Sequence, residues 1–357
     1  MLVLVWHFVA CQLLDAPANS WVATLRNSLY LTWSGVDLFF VLSGFLITGV
    51  LLDHRSAPNC FRVFYIRRAC RILPLYYLLI IIFVLLGLLP NRTGWATWLL
   101  SDPMPLWTYA VFIQNIFMGI AGSFGAFSLG VTWSLAVEEQ FYLVIPLLIF
   151  FFRPKATGLV LLAVAVTAPF LRLASPGFHA FVNTPWRADS LLSGACLAFS
   201  VRNPGFLIWV RSNPRWMNVL LLILFAIAIW ISLRPQWPGE FRHTWLAALY
   251  SVLILVGFTQ RDSYVASALR TNALVWLGVR SYGIYMFHQT ISGLFHGLAH
   301  GGSPAMRALS DVSITAAALL ATLALAAISY RWLEMPLLRF GQRFQYRMPH
   351  EVGKPCR

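Results

Sequence analysis

Charge is what this chain has least of. Only 11% of its 357 residues are Asp, Glu, Lys or Arg, against 59% hydrophobic residues, whereas a soluble globular chain carries about 25% charged residues. A water-exposed globule is thereby excluded, and the mean hydropathy of +0.72 agrees. Acids are scarcer than bases, 12 against 26, and lysine is almost missing, with Lys155 and Lys354 its two occurrences. The net charge of +14 would suit nucleic acid if the bases formed one patch. They stand instead between apolar runs, as the positive-inside rule arranges them. Cysteine is sparse too. Cys11, Cys60, Cys70, Cys196 and Cys356 are odd in number and form no CxxC pair, so neither a disulfide framework nor a metal site is indicated.

What fills the chain is a succession of apolar runs, many close to the roughly 18–20 residues that cross a bilayer. In lipid each span must satisfy its own backbone hydrogen bonds, and no short alternating strands are present, so the runs are helices. The expected fold is an all-α, polytopic integral membrane bundle. Ten candidate spans fall at 1–14, 33–52, 72–90, 131–152, 157–174, 188–201, 217–233, 243–259, 273–297 and 312–333. With the N-terminus inside and strict alternation, seventeen basic residues fall inside and seven outside, which puts both termini in the cytoplasm. Residues 91–130, containing WATWLL and MPLWTYAVFIQNIF, read as interfacial because Trp and Tyr suit the headgroup layer. No internal repeat or separate soluble domain is visible. Residues 339–357 read as a basic cytoplasmic tail. The first run is short: Met1 to Leu14 gives about 21 Å of helix against a core of about 30 Å. A signal peptide would have a basic n-region, absent here, so the expectation is a first helix lacking its start.

Polar residues inside these spans are costly and usually face a partner or a cavity. The run from Trp33 to Leu52 carries one acid, Asp37, near its start, and empties into a loop holding Arg55, Arg62, Arg67, Arg68 and Arg71. His7 lies inside the first span; a lone buried histidine is as often structural. Asp37 has a plainer reading as a helix-start cap. Glu138 and Glu139 are adjacent, so they point about 100° apart and one of them faces inward. His288 is mid-span, two turns above Arg280. Arg187 and Asp189 open a span and can pair with each other, and Glu334 follows Arg331 at the spacing of a local ion pair. Taken together, six spans of one bundle contribute acids, histidines or arginines, and a polar cavity crossing the membrane explains them economically. Arg68 and Arg71, at i and i+3, share a helix face from which two guanidiniums can grip phosphate.

At these residues the chain resembles the acyltransferase family 3 integral membrane O-acyltransferases. The resemblance lies in GVDLFFVLSGFLI at 35–47, FYIRRACRILPLYY at 64–77, TWSLAVEEQFYL at 132–143, RADSLLSGACLA at 187–198, SYGIYMFHQ at 281–289 and YRWLEMP at 330–336. These occur in the family's order and extend over essentially the whole chain, which makes residues 1–338 one membrane acyltransferase domain. The resemblance implies transfer of an acyl group, commonly acetyl, from cytoplasmic acyl-CoA to a hydroxyl of a sugar, an envelope glycan or a glycosylated small molecule, in a bacterial cytoplasmic (inner) membrane. The family's first-helix histidine matches His7 and its RxxR motif matches Arg68 and Arg71. Its arginine eleven residues before that histidine falls ahead of Met1. The implied chemistry needs a base for the hydroxyl and positive charge near the thioester oxygen. His7 is the candidate base, oriented by Asp37 or Glu138. Arg67, Arg68 and Arg71 are the candidates for the CoA phosphates, and Glu139, Arg187, Asp189 and His288 for the acceptor side. No metal is implied. The rival classes are a transporter or flippase for an anionic or sugar-bearing substrate, and an inactive membrane scaffold.

Overall fold

The computed structural model describes residues 1–13, 20–88, 97–232 and 239–348, and among these the regular structure is helical with no strand. Twelve helices frame the bundle and its polar interior. They are α1 (Leu2–Phe8), α2 (Gly35–Asp53), α3 (Cys60–Leu88), α4 (Thr132–Phe151), α5 (Pro154–Ala174), α6 (Thr184–Ser200), α7 (Pro214–Ser232), α8 (Gly239–Thr259), α9 (Asn272–Val279), α10 (Ser281–His300), α11 (Leu309–Ser329) and α12 (Met335–Gln342). Pro154 and Pro214 start their helices where a missing N–H costs nothing.

Seven helical stretches among the described residues are long and apolar enough to cross a membrane, or eight if the bent pair Phe178–Ser200 and Pro204–Ser212 counts as one. The sequence reading had ten, and three runs account for the difference. Residues 2–13 break at Val9 into α1 and a short 3-10 turn. The run 188–201 belongs to the pair that bends by 95°. The run 273–297 breaks at Arg280, which caps α9, donates to the carbonyl of Trp276 at 3.1 Å and stacks on the Trp276 and Tyr330 rings. Its longer half, α10, buries His288, Thr290, Ser292 and His296, so it is a polar helix held inside the bundle rather than a lipid-facing one. A further difference concerns the arginines. Helix α3 begins at Cys60, so Arg62, Arg67, Arg68 and Arg71 stand on its first turns and not in a loop.

The bundle is organised around the crossing of α2 and α6. A Cβ at Gly44 would lie 1.9 Å from the carbonyl oxygen of Leu191, and one at Gly194 would lie 1.9 Å from that of Val41. Only glycine on both sides permits so close an approach, the packing expected where lipid supplies no hydrophobic drive between helices. The motifs LSGF (42–45) and LSGA (192–195) are the sequence form of this contact. Large apolar side chains such as Leu222, Phe225 and Ile229 of α7 face outward, as a lipid-facing surface requires.

Candidate active site

The α2–α6 crossing holds a charge network. Arg187 is fully buried and its Nη2 donates to Asp37 Oδ1 at 2.7 Å. Ser190 Oγ donates to the same oxygen at 3.0 Å, and His243 Nδ1 of α8 lies 3.2 Å from it. The guanidinium sits among the rings of Phe40, Trp133 and Phe181, 5.4 to 5.7 Å from their centroids. A second pair lies beside it. Arg172 of α5 meets Asp189 at 2.6 Å, and Thr244 donates to the same carboxylate at 2.5 Å. Arg187 and Asp189 therefore do not pair with each other, as the sequence had allowed. They lie two residues apart and so point to different sides of α6, each meeting the opposite charge of another helix. Arg172 and Arg187, which the alternation of the spans counts among the seven outside residues, are buried inside the bundle.

His7 occupies another place. No hydrogen bond joins it to Asp37 or Glu138, among the described residues. Its Nδ1 is 3.2 Å from Gln289 Nε2, and its ring centroid is 4.9 Å from that of His288, with the rings inclined at 55°. Its backbone carbonyl accepts from Gln12 Nε2 at 3.0 Å, and Gln12 in turn accepts from Thr315 at 2.8 Å, which ties the short α1 to α11. His288 is fully buried, with Nδ1 2.6 Å from the Tyr285 carbonyl oxygen and Nε2 without a partner.

Below the imidazoles runs a column of polar groups. Tyr285 OH lies 2.6 Å from Ser134 Oγ and donates to the Val131 carbonyl at 3.0 Å. One turn along α4, Glu138 accepts from Ser43 Oγ at 2.6 Å and from the Tyr142 hydroxyl. Glu138 is buried, while Glu139 is half-buried with Oε1 unpartnered. Tyr282, on the same side of α10, donates to the Ile72 carbonyl of α3 at 2.7 Å. The Arg68 guanidinium lies 5.8 Å from the Tyr142 ring centroid, and Arg71 is exposed. Among the described residues, neither arginine forms an ion pair. From Tyr282 to His288 is six residues, about 9 Å of helix.

Arg67 is spent differently. It donates through Nε and Nη2 to the Phe344 carbonyl at 3.0 and 2.7 Å, and lies 4.9 Å from the Tyr346 ring centroid. Tyr346 stacks on His54 at 3.9 Å, and Asn59 holds the backbone on both sides of it, at Gln345 and Arg347. Burial pushes the Tyr346 phenol above its usual range, so it stacks as a neutral ring. The start of the segment read as a tail is thus packed on α3. Residues 349–357 lie outside the described residues. Glu334 also departs from its sequence reading. A π-helical turn over Tyr330–Glu334 buries Glu334, which accepts from Ser329 at 3.2 Å, and leaves Arg331 exposed over Trp332. Such turns occur often at functional sites. A Cβ at Gly283 would come within 2.9 Å of Glu334 Oε1.

The family profile described as an acyltransferase domain matches residues 1–331. The chain belongs to acyltransferase family 3. It is similar to the peptidoglycan O-acetyltransferase OatA of Listeria monocytogenes, with 30% identity over 356 residues, 90% of this chain and 54% of that protein. It is also similar to the Bacillus subtilis protein named "Putative peptidoglycan O-acetyltransferase YrhL", 30% identical over 333 residues, 87% of this chain and 51% of that one. The chain spans about half the length of these relatives. No solved structure matches it. Five of the stretches that carry the resemblance to acyltransferase family 3 contribute side chains to the α2–α6 crossing or the polar column, and the sixth, 330–336, brings Glu334 against Gly283 of α10. Gln289, His243, Ser43 and Tyr142 are members that sequence reasoning did not single out. His243 had a signal, as an ionisable residue opening a span. Gln289 had none but its place beside His288.

Proposed function

We propose that this chain transfers an acyl group, acetyl in the first instance, from acyl-CoA at the cytoplasmic face of a bacterial membrane to a hydroxyl of an envelope glycan. The observation that carries the reading is the polar column from Arg68 and Arg71 to the His7–His288 pair, inside the helix bundle. Arg68 and Arg71 share a helix face and have no ion-pair partner among the described residues, so they are available to phosphates. The acyl arm then lies along Tyr282 and Tyr285, with its thioester near the imidazoles. There an imidazole takes the hydroxyl proton, and a fixed donor meets the charge that develops on the thioester oxygen. His7, the histidine to which the family resemblance points, belongs to this centre. The names of the relatives support a glycan of the peptidoglycan class as acceptor.

Asp37, Arg187, His243, Arg172 and Asp189 hold α2, α5, α6 and α8 in register on the acceptor side. Asp37 Oδ2 is buried and unpartnered, an acceptor that a sugar hydroxyl would satisfy. Arg67 serves the C-terminal segment and is left out of the phosphate site.

Inside-out membrane vesicles carrying the chain, given labelled acetyl-CoA and glycan acceptor, test the reading. Acceptor-dependent thioester loss that disappears in His7→Ala is the expected result. Glycan movement across the membrane without thioester loss would assign the chain to transport instead.

A further inference from the structure

Two imidazoles meet at the proposed centre, and their hydrogen bonds set them in opposite tautomers. His288 Nδ1 lies 2.6 Å from the Tyr285 carbonyl oxygen. A carbonyl only accepts, so Nδ1 carries the proton of the neutral ring and Nε2 keeps a lone pair. That Nε2 is buried without a hydrogen-bond partner, in a residue with 0% exposure. An orphaned buried acceptor is costly and calls for a donor. His7 is bonded the other way round. Gln289 Nε2, an amide donor, lies 3.2 Å from its Nδ1, so Nδ1 accepts and the proton of the neutral ring stands on Nε2. Consecutive residues of α10 thus leave one ring with a free lone pair and the other with a free N–H, at a centroid separation of 4.9 Å.

We propose that His288 is the general base of the transfer. His7 serves beside it as an Nε2–H donor to the thioester oxygen, and Gln289 is the positioning residue that keeps His7 in that tautomer. The inference rests on the acyl-transfer reading and divides its labour. The acceptor hydroxyl is the donor that the His288 Nε2 lacks. Its oxygen attacks the thioester carbon, its proton passes to His288 Nε2, and the carbonyl electron pair moves onto oxygen, where the His7 N–H holds it. On collapse the C–S bond breaks, and the His288 imidazolium gives the same proton to the departing thiolate. The products are the ester and the free thiol, and both rings return to their starting state. His7 stays neutral throughout, so the apolar bundle need never hold two imidazolium charges side by side. No carboxylate touches either imidazole among the described residues, in keeping with a neutral donor and a single shuttle.

Two measurements test this on the full chain in membranes. The first is nitrogen NMR of the histidine-labelled protein, with His7 and His288 assigned from single-site variants. The expected result is a proton on Nδ1 of His288 and on Nε2 of His7. A proton on Nδ1 of His7, or on Nε2 of His288, would overturn the proposal without reference to activity. The second uses His288→Asn, whose amide keeps a donor for the Tyr285 carbonyl while removing the Nε2 lone pair. It is expected to lower kcat about 10²–10⁴-fold and to leave KM for acetyl-CoA within about twofold of the unaltered chain. Gln289→Leu is expected to lower kcat by a smaller factor, again without raising KM. Should His7→Ala abolish turnover while His288→Asn retains it, the division of labour fails and acyl transfer stands. Should both variants turn over normally, the site reading itself fails. If His288→Asn does not accumulate as a folded protein, the tautomers of the unaltered chain decide.

Discussion

Replacing Gly44 by alanine presses a methyl group into the tightest contact of the bundle. The new Cβ lies 1.9 Å from the Leu191 carbonyl oxygen, where ordinary contact begins at 3.4 Å, so roughly 1.5 Å must be recovered by moving α2 from α6. The atom met is backbone, which cannot rotate away. Overpacking of this kind costs about 1–3 kcal/mol by itself. The Asp37–Arg187 bond of 2.7 Å joins the same two helices, about 10 Å along each from the glycine contact. Spreading the crossing strains it as well, and an uncompensated buried charge costs about 3–5 kcal/mol. The expected loss is at least 3 kcal/mol or so, a drop of about 5 °C or more in the temperature at which half of the detergent-solubilised chain loses its monodisperse elution. Gly194→Ala should behave alike, since its Cβ meets the Val41 carbonyl oxygen at 1.9 Å. Gly87→Ala is the control, with nothing within 4 Å, and should gain about 0.5–1 kcal/mol from helix propensity. Equal heat resistance in all three variants would refute the view that this glycine contact sets the packing of α2 on α6.

Three further outcomes are expected. Asp37→Leu and Arg187→Leu should each cost about 3–5 kcal/mol by leaving the partner charge buried, while the double substitution should recover much of the loss in the same heating assay. Additive losses would show that the two charges do not depend on each other. Arg68→Ala should raise KM for acetyl-CoA more than it lowers kcat, and the reverse split would contradict a binding role. Arg67→Ala should leave that KM near its starting value but expose residues 344–348 to limited proteolysis, because Arg67 is bonded to Phe344 and stacked on Tyr346. A rise in KM equal to that of Arg68→Ala would return Arg67 to the phosphate site.

The membrane class, the helical fold and the family were legible in the chain because each is a property of local composition and order. A run such as 33–52 declares its span by hydropathy alone, and the RxxR spacing puts Arg68 and Arg71 on one face of any helix that forms there. Span count was less legible. Whether 273–297 is one helix or two depends on Arg280 finding the rings of Trp276 and Tyr330, and Tyr330 lies fifty residues on.

Pairing was settled by the tertiary structure. Asp37, Arg187, Asp189 and Glu334 were visible as costly charges, but electrostatics fixes only that each needs a partner. Which partner it gets depends on which helices cross and at what height. Adjacent sequence offered Arg187 to Asp189 and Arg331 to Glu334. The glycine contact of α2 with α6 instead brings Asp37 to Arg187, and the π-turn after α11 turns Glu334 inward. The neighbour of His7 was likewise beyond reach of the sequence: Gln289 stands 282 residues away, and an amide there makes sense only beside the imidazole it meets. The chain determined by itself that polar groups would be gathered within the membrane, because lipid leaves them nowhere else to go. Close packing of particular helices decided which of them meet.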